Sequence, residues 1–394
     1  RNIISKYTLK WIESFNKLNR KIDLSKQYHT SDIGYMDKLW SNFHKLYKDG
    51  LIYQSFKVMP YSPKLGCSLS NFEANSNYAT INDNTVTVAF PLIEKSTNTV
   101  IDNTYLLAWT TTPWSLVGNM GLGVNPKLVY VKVEYMDKFY MVAESLVESN
   151  FKSDYIIVDK ISGCDLAKNF KYMNIFRMIE SDYLIHSADY ITDSSGTGIV
   201  HLAPMFGDED FKTMNIIDLP IFLDKHLCFL NDFTMIDMEA GSFLLDTEVP
   251  IIKYLAKNGL LFSKKKITHS YPMCWRTDTK LVYYANSAWF LNVTKIKENL
   301  IKNVKTINWH PHEIAEKRFN NWVSNSVDWC LSRNRIWGTP LPILVSMENN
   351  EDIIILKIKE HLEQLLGYTI NDIHLDKIRD LEISYKNKKC VKRL

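Results

Sequence analysis

The sequence predicts an α+β fold, from three observations. Apolar residues recur at helical spacing over 1–50, they alternate with period two over parts of 85–160, and from about residue 284 the chain turns to aromatic-rich helix and loop. At 394 residues the chain is long enough for two or three domains and a sizeable core. Its 46% hydrophobic and 23% charged residues are those of an ordinary soluble globular protein. A net charge of +3 does not announce nucleic-acid binding, yet it leaves room for a local basic surface.

Trp11, Ile12, Phe15 and Leu18, then Leu39, Trp40, Phe43 and Leu46–Tyr47, mark two helices, with Gly50 closing the second. Pro60, Pro63, Gly66 and many Ser and Asn residues predict a loop-rich stretch over 56–80. Thr85 to Phe90 reads as a strand, and Leu128–Val133 and Lys138–Val142 as a hairpin around Tyr135-Met136-Asp137. Tyr183–Ile191 and Gly198–Leu202 are further strand candidates. Asp208–Met214 opens with three acids, which suit a helix N-terminus, and 249–258 reads as a helix ended by Gly259. A helix over 312–329 is expected to bury Trp322, Val323 and Trp329. The tail holds a strand (Ile353–Leu356), a helix (Ile358–Leu366) and a solvated, frayed basic end with Lys386, Lys388, Lys389, Lys392 and Arg393.

The six cysteines are scattered and form no Cys-x-x-Cys pair, so neither a zinc ribbon nor a disulfide framework is expected and a reduced cytosolic setting fits best. No apolar run approaches the ~20 residues of a membrane span. A start at Arg1 rather than Met suggests a piece of a longer protein.

Three stretches carry chemistry. An apolar run ends in Thr110-Thr111-Thr112-Pro113-Trp114. Three adjacent β-branched hydroxyl side chains are poor core material but make a stiff, polar wall, which can reject a side chain by size while hydrogen-bonding water or a ribose. Thr112 is also placed to cap a helix with Pro113 at its first position, and the bland alternative is threonines at an ordinary strand end. Gly196-Thr197-Gly198 leads through an apolar strand to His201, then Pro204 and Gly207 turn the chain toward Asp208, Glu209 and Asp210. These acids serve either to balance a helix dipole or to capture an ammonium group at a pocket mouth, and the His/Asp spacing fits no standard metal motif. Trp329 to Pro340 sets Arg333 and Arg335 between tryptophans, either a nucleotide contact or a structural loop with snorkelling arginines.

Together these stretches resemble the isoleucyl-tRNA synthetases of eukaryotic cytosolic type, over nearly the whole chain. Trp109 to Leu116, with Asn119, is similar to the threonine-rich motif of that family's editing domain. Pro113-Trp114 directly after the threonines favours the isoleucyl over the valyl and leucyl members. Gly196 to Asp210 resembles the second editing motif, whose last aspartate, here Asp210, holds the amino group of the misattached amino acid. Lys57 to Ser62 and Ser70 to Ala74 resemble the way into the inserted domain, and Ser270 to Arg276 the way out. Ser332-Arg333-Asn334-Arg335 with Trp337-Gly338 resembles the return to the catalytic body.

The resemblance implies a β-barrel-like editing (CP1) domain over 56–270, an N-terminal helical flank over 1–55 and a segment over 271–394 returning to the synthetase body. It implies hydrolysis of Val-tRNA(Ile), with valyl-adenylate as a further substrate, and a cytoplasmic setting. The family is itself the standard illustration of the need: one methylene in a pocket separates isoleucine from valine by only about 150-fold, so a second, hydrolytic site is required. Asp210, His201, Thr111 and Thr112 are the expected catalytic residues. Thr110, Trp114, Ser115, Asn119, Phe206 and Glu209 are expected to bind substrate, with Trp114 and Phe206 near the terminal adenosine. The expected partners are the acceptor end of tRNA(Ile), with lysines on its phosphates, the misattached valine and the remainder of the synthetase, with no membrane. No cofactor or metal is expected for editing, whereas the parent enzyme uses ATP and Mg. The His-x-Gly-His and Lys-Met-Ser-Lys-Ser elements of amino-acid activation are not in this sequence, so aminoacylation by this chain is not expected. Two departures stand out: Ser115 and Val117 occupy positions where the family usually has threonine and proline. A noncatalytic tRNA-binding module and valyl-type editing of Thr-tRNA(Val) remain the alternatives.

Overall fold

The structure, a computed structural model, describes residues 2–18, 23, 26–152, 154–176, 182–216, 219–333, 338–346, 352–385 and 388–391. The chain divides into two compact units, one of Arg1–Tyr53 with Trp289–Leu394, the other Gln54–Ala288.

The unit of residues 54–288 holds both editing-type motifs. Its strands are β1 (Ile52–Ser62, begun in the first unit), β2 (Cys67–Ser68), β3 (Tyr78–Glu94), β4 (Thr99–Thr110), β5 (Gly121–Val124), β6 (Val129–Tyr135), β7 (Lys138–Ala143), β8 (Ile156–Ser162), β9 (Phe170–Tyr172), β10 (Ile185–Ser187), β11 (Ile199–Leu202) and β12 (Leu261–Pro272). The main sheet runs β12-β3-β4-β7-β6-β8, with β9 added on β3. That is an open path with β12 and β8 at its edges, so the strands described do not close the expected barrel. Val86, Val88, Phe90, Leu106 and Leu107 on β3 and β4 are essentially inaccessible. Each such side chain contributes roughly 1.5–3 kcal/mol of burial, which makes the strand leading into the threonines one of the most firmly held parts of the molecule.

The hairpin turns at Met136 and Asp137, both with positive φ, and pairs Tyr135 with Lys138. Helices at Asp208–Met214 and Glu248–Lys257 match the acidic start and the Gly259 stop, where φ is +66°. A second, three-stranded sheet orders β10-β5-β11. Its register pairs His201 with Leu122 across β11 and β5.

Several expectations fail for tertiary reasons. The Pro- and Ser-rich stretch over 56–80 is not mainly loop, because β1 runs through Pro60 to Ser62 and turns back into β2. The strand candidate Tyr183–Ile191 contracts to Ile185–Ser187. Val282–Leu291 is a strand where helix and loop were expected.

In the unit of residues 1–53 and 289–394, helices occupy Asn2–Lys17 and Ile33–Lys48. The second buries Trp40 and Phe43, and Trp40 Nε1 donates to the Pro340 carbonyl at 2.8 Å. The expected helix over 312–329 is shorter, π-type over Ile314–Phe319 and α over Asn320–Ser324, and the strand Trp329–Cys330 follows it. Trp322 and Trp329 are exposed there and only Val323 is buried. The basic end is not simply frayed, since Lys388–Val391 pairs with Glu382–Tyr385. Lys386, Lys392 and Arg393, and Asn334, Arg335 and Trp337 of the return motif, lie outside the described residues.

Candidate editing site

The threonine run stands where β4 leaves the sheet and a short 3-10 helix, Pro113–Gly118, begins. Pro113 takes the first helical position, where it loses no needed donor. Thr112 precedes it without the expected capping bond, because its hydroxyl is engaged in a local network. The Thr112 N–H donates to Thr110 Oγ1 at 3.1 Å. Thr110 Oγ1 lies 3.3 Å from Thr112 Oγ1, which lies 3.0 Å from Ser115 Oγ. Ser115 Oγ donates to the Thr112 carbonyl at 2.7 Å and stands 2.9 Å from His201 Nε2. The structure joins His201 to the threonines through Ser115.

A serine 2.9 Å from a histidine invites a nucleophile–base reading. The hydrogen-bond inventory argues against it. Ser115 has one proton, and the shortest of its hydroxyl contacts, 2.7 Å, is to the Thr112 carbonyl, which can only accept. With its proton there, Ser115 Oγ accepts from His201 Nε2–H at 2.9 Å. His201 is thereby assigned as the neutral Nε2–H tautomer from its network. Its Nδ1 is buried, with no partner among the described residues. Burial without a counter-charge pushes its pKa down to about 4, so the ring stays neutral near pH 7.

Asp210 lies in the first turn of the helix Asp208–Met214. Its Oδ2 accepts from the Ala203 N–H at 2.9 Å, and the Tyr190 hydroxyl approaches Oδ1 at 3.4 Å. Burial raises its pKa, while the Ala203 and Tyr190 hydrogen bonds pull it back. Gly207 permits this placement: a Cβ there would stand 2.4 Å from Asp210 Oδ2. Oδ1, which takes only the long Tyr190 contact, is the oxygen suited to an incoming ammonium.

Trp114 packs edge-on against Phe206, with ring centroids 5.2 Å apart, and both are largely buried. Trp114 and Thr111 also line a cavity of about 810 Å³ within this unit. Sequence reasoning missed the rest of that cavity, including Asp83, Tyr271 and Lys280. Lys280 Nζ donates to Asp83 Oδ1 at 2.7 Å, and His269 Nε2 lies 3.1 Å from Oδ2. These residues come from three separate segments and share no local pattern that would single them out.

Two other expected substrate residues are occupied elsewhere. Asn119 is buried, its Nδ2 donating to the Gly121 carbonyl and its Oδ1 accepting from the Tyr172 hydroxyl at 2.6 Å. Glu209 is exposed and pairs with Lys212 at 3.4 Å. Among the described residues no group of three or more His, Cys, Asp or Glu is arranged to hold a metal ion, and no helix is long and apolar enough to cross a membrane.

The family model "tRNA synthetases class I (I, L, M and V)" matches residues 1–393. The chain is 40% identical over 406 residues to the cytoplasmic isoleucine–tRNA ligase of Saccharomyces cerevisiae, covering 99% of this chain and 37% of that protein. It is 37% identical over 418 residues to the probable cytoplasmic isoleucine–tRNA ligase of Dictyostelium discoideum, covering 100% of this chain and 38% of that one. The chain thus spans less than two fifths of the length of these relatives. Among solved structures, the editing domain of a Plasmodium knowlesi cytosolic leucyl-tRNA synthetase is similar at 14% identity and a TM-score of 0.34, over 48% of this chain and 98% of that one. At that score the likeness decides nothing about this fold. By sequence, the chain belongs to the class I tRNA synthetases (I, L, M and V), and among them to the isoleucyl group of eukaryotic cytoplasmic type.

Proposed function

We propose that this chain performs the hydrolytic proofreading of an isoleucine–tRNA ligase, removing valine from Val-tRNA(Ile), with valyl-adenylate as a second substrate. The editing domain is assigned to 56–270, with 1–55 and 271–394 belonging to the body of the parent enzyme. The observation that carries the reading is the Thr110–Thr112–Ser115–His201 network, a rigid wall of branched hydroxyl side chains with a neutral imidazole locked into it.

A sieve must not yield. A wall whose hydroxyls bond one another holds its shape when a side chain presses on it. Both His201 nitrogens are enclosed, so its ring serves as part of the wall and not as a proton carrier. Asp210 supplies the fixed anion for the substrate ammonium, in a half-buried setting where an ion pair is worth more than the ~0–1 kcal/mol of an exposed one. The aminoacyl ester is already activated, so a positioned water suffices for its hydrolysis. Trp114, at the cavity wall, and Phe206, packed against it, are the aromatic residues placed near the terminal adenosine of the acceptor end. The parent enzyme's ATP and Mg belong to amino-acid activation and have no part in this step, which takes place in the cytoplasm.

The test is a deacylation assay on Val-tRNA(Ile), with Asp210→Ala as the control. Hydrolysis no faster than the control would leave a noncatalytic tRNA-binding module as the better description. Faster hydrolysis of Thr-tRNA(Val) would assign the site to the valyl type instead.

A further inference from the structure

We propose that Ser115 is a positioning residue that sets both the tautomer and the orientation of His201, and through them the selectivity of the wall. The inference rests on the proofreading reading for its effect on selectivity, but not for its effect on the histidine.

One order of hydroxyl protons satisfies the whole network. The carbonyl of Thr112 takes the Ser115 proton. Ser115 Oγ then has two lone pairs to fill, and two groups stand at hydrogen-bond distance to fill them: Thr112 Oγ1 at 3.0 Å and His201 Nε2 at 2.9 Å. Thr112 Oγ1, having donated to Ser115, accepts from Thr110 Oγ1. Thr110 in turn accepts the Thr112 N–H. Every hydroxyl is matched in this order, with the Thr112 carbonyl accepting at one end and the Thr112 N–H donating at the other.

The consequence falls on His201. In the opposite tautomer a protonated Nδ1 would be buried without an acceptor, and a bare Nε2 would face a serine oxygen with no proton to offer. Leaving a buried donor unmatched is costly. Nδ1 has no partner among the described residues, and an unmatched lone pair there is the cheaper defect. Without the Ser115 hydroxyl the ring has no hydrogen-bond partner among the described residues to distinguish its two tautomers or hold its rotation. Threonine at 115 would supply the same hydroxyl, whereas alanine would not.

The experiment uses the full chain with 15N-labelled histidine and long-range 1H–15N correlations at pH 7, the His201 signals being assigned by their loss in His201→Gln. The wild-type chain is expected to show Nε2 protonated and Nδ1 bare, and Ser115→Thr to keep that pattern. Ser115→Ala is expected to show mixed tautomers, and to lower the preference for Val-tRNA(Ile) over Ile-tRNA(Ile) by about tenfold, the low end of what one methylene's fit is worth. Ser115→Thr is expected to restore the preference. A protonated Nδ1 in the wild-type chain overturns the inference without any variant having to fold. So does a Ser115→Ala chain with unchanged tautomer and unchanged preference. Absence of hydrolysis by the wild-type chain removes the proofreading reading and the selectivity arm with it, while the tautomer spectrum still decides what Ser115 does.

Discussion

His201 and Asp210 sit on one short segment, on either side of the turn at Pro204–Gly207, and both are drawn away from water. His201 is enclosed with one ring nitrogen on Ser115 and the other unbonded. Asp210 keeps an N–H from Ala203 on one oxygen and the Tyr190 hydroxyl near the other. Burial acts against charge in both. For His201 nothing opposes it, and the ring is held neutral; for Asp210 the two donors oppose it in part, and its pKa stays raised. The difference teaches that these neighbouring titratable groups have separate tasks. In the proposed reading, one shapes the site and the other provides its charge.

The sharpest way to break that comparison is to remove the charge. Asp210→Asn keeps the shape and should slow Val-tRNA(Ile) hydrolysis by about 100-fold, since losing one side of a sheltered charge pair costs ~2–5 kcal/mol. In the wild-type chain, hydrolysis should fade as pH drops through the raised Asp210 pKa, at a higher pH than for an ordinary aspartate. Initial rates across a pH series check both outcomes.

The neutral partner shows itself in stability. The folded state holds the His201 pKa near 4, below its usual 6.5, so between those values the unfolded chain binds more protons. Stability should therefore be fully present above pH 6.5 and fall on acidification toward pH 4, by about 3 kcal/mol from this residue. Urea midpoints for the wild-type chain and His201→Gln should diverge most at pH 7 and converge at low pH. Parallel curves would contradict the assignment.

The walls can be tested separately. A Cβ at Gly118 would stand 2.7 Å from Phe206 Cε2, so Gly118→Ala should push Phe206 off Trp114. Overpacking of this kind costs ~1–3 kcal/mol, readable in the denaturation midpoint and the near-ultraviolet dichroism of Trp114. The mildest change is Gly207→Ala, which crowds Asp210 without removing it. It should lower hydrolysis by about tenfold, less than the ~100-fold that a full ångström of misplacement costs. An unchanged rate would show that Asp210 has slack.

Much of this was legible in the residues. Period-two alternation marked β3, the Asp-rich start marked the helix at 208, and Gly259 marked the end of another. The threonine run, His201 and Asp210 were found because unusual residue types cluster in short stretches. The misreadings share a cause. Pro60 and Ser62 lie in a strand because a partner strand and a buried core outweigh their local preference. Trp322 and Trp329 look like core by type and are exposed, since hydrophobicity does not say which surface a neighbour covers.

By itself, the sequence determined which elements form, which polar residues are out of place in a core, and which family the motifs belong to. These are properties of near neighbours along the chain and of residue type. Only the tertiary structure decided that Ser115 meets His201, that Asn119 serves the fold, and that Asp83, Tyr271 and Lys280 share a cavity with Thr111 and Trp114. It also decided the protonation of His201. The reason is physical: a hydrogen bond or a pKa depends on what lies within a few ångströms in space, and the partner at 115 is far from 201 along the chain.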